Sequence, residues 1–74
     1  MNLTVKLFAY FRDNRFVAEV KEYRQGISVG EIIEILEINP DDVGITMLNS
    51  KHCLAESQPG EGDILAIFPV IGGG

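Results

Sequence analysis

Between Ile64 and Phe68 five apolar residues follow one another without a polar break, and the chain then passes through Pro69, Val70 and Ile71 into Gly72, Gly73 and Gly74. A short, unbroken run of this kind reads as a central β-strand covered on at least one face, and Pro69, which has no N–H to give to a ladder, belongs at its end. The glycines add nothing to a core and lose more backbone entropy on ordering than any other residue type. They predict a bare arm whose use lies in the α-carboxylate of Gly74, passed through a narrow tunnel in a partner enzyme where a Cβ would clash. The arm then acts as a substrate. The rest of the chain has to flank that strand and cover it.

Upstream, Leu3, Val5, Leu7 and Ala9 alternate with Thr4, Lys6, Phe8 and Tyr10, a period of two that predicts a first strand running to Tyr10. Arg12-Asp13-Asn14 is a turn signal, and Phe16 to Tyr23 resumes alternation, with Phe16, Ala18 and Val20 on one side and Glu19 and Lys21 on the other. Strand, short turn and strand make an antiparallel hairpin. Ser28-Val29-Gly30-Glu31 matches the capping box, and Val29, Ile32, Ile33 and Leu36 fall on one stripe at helical spacing, so a helix of roughly ten residues starts here and ends before Asn39-Pro40. Ile45 to Leu48 reads as a third strand, Asn49-Ser50-Lys51 as a turn, and His52-Cys53-Leu54 as a short fourth strand. Ser57 to Asp63 is a loop dense in turn formers.

Composition narrows the function. With 46% hydrophobic and 23% charged residues the chain is globular, and its 74 residues make one domain at most. Six basic residues against eleven acidic ones give a net charge of −5, which argues against nucleic acid and fits a basic protein partner better. No apolar run is long enough to span a bilayer, and the first residues lack the basic and apolar regions of a signal peptide, so no membrane is expected and a cytoplasmic location is. A single cysteine, Cys53, excludes an internal disulfide and a cysteine-rich zinc site. Without a second histidine beside His52 no metal site is expected.

The expected fold is therefore α+β, a mixed sheet of four to five strands with one main helix packed on one face. This is the β-grasp (ubiquitin-like) arrangement, in which the first and last strands lie adjacent and parallel at the centre. Residues 1–71 form the domain and 72–74 the flexible glycine tail. Four residues from Ile71 reach ~13 Å at ~3.3 Å each, enough to enter a partner's active site.

The stretch Val5-Lys6-Leu7-Phe8-Ala9-Tyr10-Phe11-Arg12-Asp13 and the ending Gly62-Asp63-Ile64-Leu65-Ala66-Ile67-Phe68-Pro69-Val70-Ile71-Gly72-Gly73-Gly74 resemble the sulfur-carrier branch of the ubiquitin-like proteins, and within it the small subunit of molybdopterin synthase. Two positions differ from the family's usual ending. Val70 stands where a second proline is common, and Gly72 where a small non-glycine residue is.

The resemblance implies that an E1-like adenylylating enzyme activates Gly74 with ATP, and that a sulfur donor protein displaces AMP to leave a thiocarboxylate. It also implies a larger molybdopterin synthase subunit that takes this sulfur for the dithiolene of molybdopterin. On that reading Gly74 and Gly73 carry the chemistry, Phe68, Pro69, Val70, Ile71 and Gly72 meet the partner, the chain binds no cofactor, and it has no catalytic side chains of its own. The alternatives are a carrier for thiamine thiazole synthesis, a ubiquitin-like protein modifier, and an interaction domain with an inert tail. Cys53 is expected as a small core residue, since neighbours on a strand point to opposite faces and His52 should diverge from it. Glu31 is expected as a cap, and Asp41-Asp42 as a solvated turn.

Overall fold

The structure is a computed structural model that describes residues 1–70 of the chain. The first strand β1 (Asn2–Leu7) is followed by a 3₁₀ segment, Ala9–Arg12, and by strand β2 (Ala18–Glu22). Helix α1 (Val29–Ile35) comes next, then a 3₁₀ turn at Pro40–Asp42, strand β3 (Val43–Leu48), strand β4 (Lys51–His52) and strand β5 (Ile64–Pro69). The sheet has five strands in the order β2-β1-β5-β3-β4, and β1 and β5 run parallel at its centre. This is the expected β-grasp. The parallel pairing of the two ends of the chain places the apolar run of residues 64 to 68 in the middle of the sheet.

The core lies between the sheet and α1. Leu3, Val5 and Leu7 of β1, Leu65 and Ile67 of β5, and Val29, Ile32 and Ile33 of α1 are all buried there. The period-two pattern of the strands and the stripe of the helix thus meet in one layer. The helix begins as its sequence demands. Ser28 Oγ accepts from the Glu31 N–H at 3.1 Å and the Glu31 carboxylate accepts from the Ser28 N–H at 3.1 Å, the reciprocal capping box. That backbone hydrogen bond, joined by the Arg24 guanidinium, holds the Glu31 carboxyl below its ordinary value, so the support it gives the helix is present above the unfolded carboxyl's pKa and is lost as pH falls. Glu31 is a cap.

Three local expectations need correcting. First, β1 stops at Leu7, because Ala9 takes φ +52 and starts the 3₁₀ segment that turns Phe11 into the core. The alternation through Tyr10 was only a continuation of pattern. Second, β2 pairs Leu3 with Lys21 and Val5 with Glu19, so these charged residues share the helix side of the sheet while Ala18 and Val20 face away from it. Phe16 packs on the core side with Lys21, whose ammonium lies 4.9 Å from its ring centroid, and is parted from Ala18 and Val20. An edge strand has little core to face, and the Lys21 ammonium over the Phe16 ring makes a cation–π contact.

Third, α1 is seven residues long and ends well before Asn39-Pro40. Glu37 adopts φ +59, its N–H bonds to the Glu34 carbonyl at 2.9 Å, and the Ile38 N–H reaches back to the Ile33 carbonyl at 3.1 Å. This is the Schellman termination, with buried Ile38 against buried Ile33 and a glutamate where glycine usually sits. Arg15 completes it, its Nη2 donating to the Glu37 carbonyl at 2.9 Å and its Nε to the Leu36 carbonyl at 3.3 Å. Glu37→Gly is expected to raise stability by about 0.5–1 kcal/mol, because it removes the left-handed penalty and keeps every backbone bond. A urea unfolding midpoint below that of the natural protein would show that the Glu37 side chain contributes more than its backbone strain costs.

Candidate functional site

One face of the sheet carries no helix. The register puts Thr4 and Lys6 of β1, Ala18 and Val20 of β2, Ile64, Ala66 and Phe68 of β5, Ile45 and Met47 of β3 and His52 of β4 on it. Val20, Ile45 and Ile64 are exposed there, and Val70 is exposed just beyond the end of β5. Water-facing apolar side chains gathered on one sheet face make it the candidate docking surface. Where β1 and β5 end, the rings of Phe8 and Phe68 stack with centroids 4.1 Å apart and planes 13° from parallel. Phe68 is thus only half-buried and belongs to this face rather than to the core.

Beside the stack lies a groove of about 390 Å³ lined by Gly44, Ile45, Met47, His52, Phe68, Pro69 and Val70. It opens where β5 ends. Pro69 is buried and pairs with Val43, while the Val70 N–H donates to the Asp42 carbonyl at 2.9 Å, which fixes the direction in which the chain leaves the sheet. Gly44 makes that approach possible. It is the extra residue of a β-bulge between Val43 and Ile45, and a Cβ built on it would stand 2.8 Å from the Pro69 carbonyl oxygen and 3.1 Å from the Val70 Cα. Ile71, Gly72, Gly73 and Gly74 lie outside the described residues.

Gly44→Ala is expected to destabilise the fold by about 1–3 kcal/mol, since the atoms in the way are backbone and cannot swing aside. It should also displace the Val70 N–H from Asp42. Faster amide exchange at Val70 with a lowered urea midpoint is the result that checks it, and unchanged exchange would show that β3 absorbs the methyl without moving the root of the arm.

The other singled-out residues have structural roles. Cys53 is half-buried and packs against the core on the helix side, while His52 is exposed and pairs with Met47 on the open face, so the two diverge. Cys53 borders a second cleft at the β3–β4 edge, of about 530 Å³ and also lined by Glu31, Ile33, Pro40 and Ala55, and His52 reaches its rim. Among the described residues no group of three or more His, Cys, Asp and Glu comes together. Asp41 and Asp42 are exposed, and Asp63, in the acidic turn before β5, accepts from the Gly60 N–H at 2.7 Å and from the Asn49 side chain at 2.9 Å. Those bonds, the Gly60 one foremost, hold the Asp63 carboxyl below its ordinary value and tie the β3–β4 turn to the start of β5. No helix among the described residues is long and apolar enough to cross a membrane.

The sequence did not show Gly44, Asp42 or the pairing of Phe8 with Phe68 as parts of one site. Only Gly44 left a signal, an isolated glycine at the start of an apolar strand, which is where a bulge or a close backbone approach occurs.

A mixed sheet over one helix, with its two central strands parallel and an apolar open face, is the architecture of a ubiquitin-like β-grasp domain. The model of the ThiS family matches residues 5–74, and the chain belongs to that family of ubiquitin-like sulfur carriers. Solved structures agree on the fold. A molybdopterin converting factor subunit 1 from Pyrococcus furiosus superposes with a TM-score of 0.79 at 22% identity, over 96% of this chain and 99% of that one. The small archaeal modifier protein 1 of Haloferax volcanii gives 0.75 at 17% identity, over 95% and 98%. A chain from the complex of subunits 1 and 2 of molybdopterin-converting factor of Helicobacter pylori gives 0.67 at 18% identity, over 100% of both. Comparison with the curated proteins gives no sequence match.

Proposed function

We propose that this chain is the small subunit of a molybdopterin synthase, a sulfur carrier in which residues 72–74 form the tail and Gly74 carries the reacting carboxyl. A terminal carboxylate is an anion at neutral pH and a poor electrophile, its reference pKa lying near 3.3–3.7. An E1-like enzyme therefore has to activate it. The carboxylate attacks the α-phosphorus of ATP and pyrophosphate leaves. Hydrosulfide released by a donor protein then attacks the acyl carbon, AMP leaves with the electron pair of the broken C–O bond, and the C–S bond of a thiocarboxylate stands in its place.

The observation that carries this reading is the apolar groove and aromatic stack at residues 68–70, from which the glycine tail continues. Ordering an arm costs about 1–2 kcal/mol per residue, which the burial of a contiguous apolar patch beside its root offsets. Phe68 and Val70 offer that patch, Pro69 and Gly44 form its wall, and Ile71, Gly72 and Gly73 lead Gly74 inward. The larger synthase subunit is the partner that fits, since structures of similar fold include subunit 1 of molybdopterin converting factor both alone and in a complex with subunit 2.

Complementation tests the assignment. A strain lacking its molybdopterin carrier should regain molybdoenzyme activity when given this chain, and a strain lacking its thiamine carrier should still require thiamine. The reverse pattern would move the protein to thiazole synthesis. The modifier reading, which the fold shared with small archaeal modifier protein 1 favours, predicts isopeptide-linked conjugates on lysines in place of thiocarboxylate.

A further inference from the structure

The net charge of −5 points to a basic partner, but two cations stand beside the aromatic stack, while exposed Asp13 follows Arg12 in the chain and exposed Asp41 and Asp42 lie at the root of the arm. Lys6 projects from the open face of β1, and Arg12 lies at the edge of the aromatic stack with its guanidinium carbon 5.3 Å from the Phe8 ring centroid. Glu22, the acidic residue that the register puts on this face, pairs with Asn2 at the far end of β1. Three glutamates, Glu31, Glu34 and Glu37, sit instead on and just after α1, behind the sheet.

Arg12 is also held in place. Its Nε donates to the Leu7 carbonyl at 2.7 Å, and its guanidinium carbon lies over the ring of Phe8, which in turn stacks on Phe68. Among the described residues its terminal nitrogens have no partner. Arg15 spends all three of its nitrogens on backbone carbonyls, and the two ion pairs among the described residues join Arg24 to Glu31 and Lys21 to Glu19. Arg12 is exposed and held through its Nε, so its two terminal nitrogens are left as a fork from which a carboxylate can accept bidentately. Because the rotamer is already set, little side-chain entropy remains to be lost on binding.

We propose that Arg12 is a preset carboxylate receptor on the rim of the docking face, and that the larger subunit seated on Phe8 and Phe68 places an Asp or Glu side chain against it. The inference rests on the carrier reading above and deepens it by naming the chemistry of the partner's contact. That carboxylate is separate from the basic groups expected deeper in the partner, where the anionic tail ends. Opposite charges at rim and tunnel would fix the direction in which the carrier docks, since a carrier turned end for end would bring Lys6 and Arg12 to the wrong side.

Calorimetric titration of the larger molybdopterin converting factor subunit from the same organism with the natural chain, Arg12→Gln, Arg12→Lys, Lys6→Gln and Phe68→Ala, at low and high sodium chloride, tests this. Arg12→Gln should weaken binding about tenfold or more, and Arg12→Lys should recover only a small part, because an ammonium lacks the fork. Lys6→Gln should change affinity by about twofold, as an exposed charge does, and the salt sensitivity of binding should shrink in Arg12→Gln. Should Arg12→Gln fail to fold, Arg12→Lys, which keeps the charge and the stem, gives the decision. Affinity within about twofold of natural in the folded Arg12 variants, with Phe68→Ala still weakened, overturns the receptor while leaving the carrier reading intact. No binding by the natural chain overturns both.

Discussion

Deleting Gly74, or adding one alanine beyond it, is expected to reduce sulfur loading by at least about a thousandfold while leaving the unfolding midpoint unchanged. Either change moves the reacting carboxyl by ~3.5 Å along the arm. Misplacement by as little as ~1 Å costs an enzyme on the order of a hundredfold when its groups are fixed around one geometry. The added alanine also brings a Cβ into a channel that bare backbone is proposed to fill. The fold should not respond, because the buried side chains of β5 end at Pro69 and the last described hydrogen bond of this segment joins Val70 to Asp42. Intact mass after incubation with the activating enzyme, ATP and a sulfur donor reads the result, since loading replaces one oxygen by sulfur. Loading of the extended chain to the level of the natural one would take the tail out of the mechanism.

The parts of the fold that were legible in the sequence are those fixed by local chemistry. The capping box at Ser28 and Glu31, the stripe of Val29, Ile32 and Ile33, and the alternation of Leu3, Val5 and Leu7 each state their structure within a few residues. Together with the apolar run of β5 they give one helix over a sheet, while the parallel pairing of its central strands follows from the β-grasp arrangement and from no local pattern. What stayed hidden depends on contacts distant in sequence. Phe8 reads as one more strand residue until Phe68 is stacked on it, and Gly44 is an ordinary glycine until the Pro69 carbonyl lies against it. Glu37 hides the end of α1 because a left-handed glutamate is rare, and only the Schellman bonds and Arg15 show why it is tolerated here. Strand β4 begins at Lys51, one residue before the expected His52, because Asn49 and Ser50, both at positive φ, close the hairpin in two residues.

Phe68→Ala is expected to weaken the complex with the larger subunit by about 2 kcal/mol or more, roughly thirtyfold, the loss typical of an aromatic anchor at the centre of an interface. The reason is specific to the open face. Phe68 is half-buried in the free chain, and its ring is already fixed by Phe8, so docking completes its burial at small entropic cost. Phe8→Ala should cost nearly as much, since it unfixes Phe68 and removes the platform beneath Arg12. The double variant should then lose less than the sum, by about 0.5–1.5 kcal/mol, the coupling of a stacked pair. Neither ring belongs to the buried cluster around Leu3, Val5, Ile32 and Ile67, so each single variant should stay folded, and equilibrium unfolding beside the binding titration separates lost docking from lost structure. Strict additivity would mean that the two rings meet the partner independently, and unchanged affinity in folded Phe68→Ala would place the docking surface elsewhere on the domain.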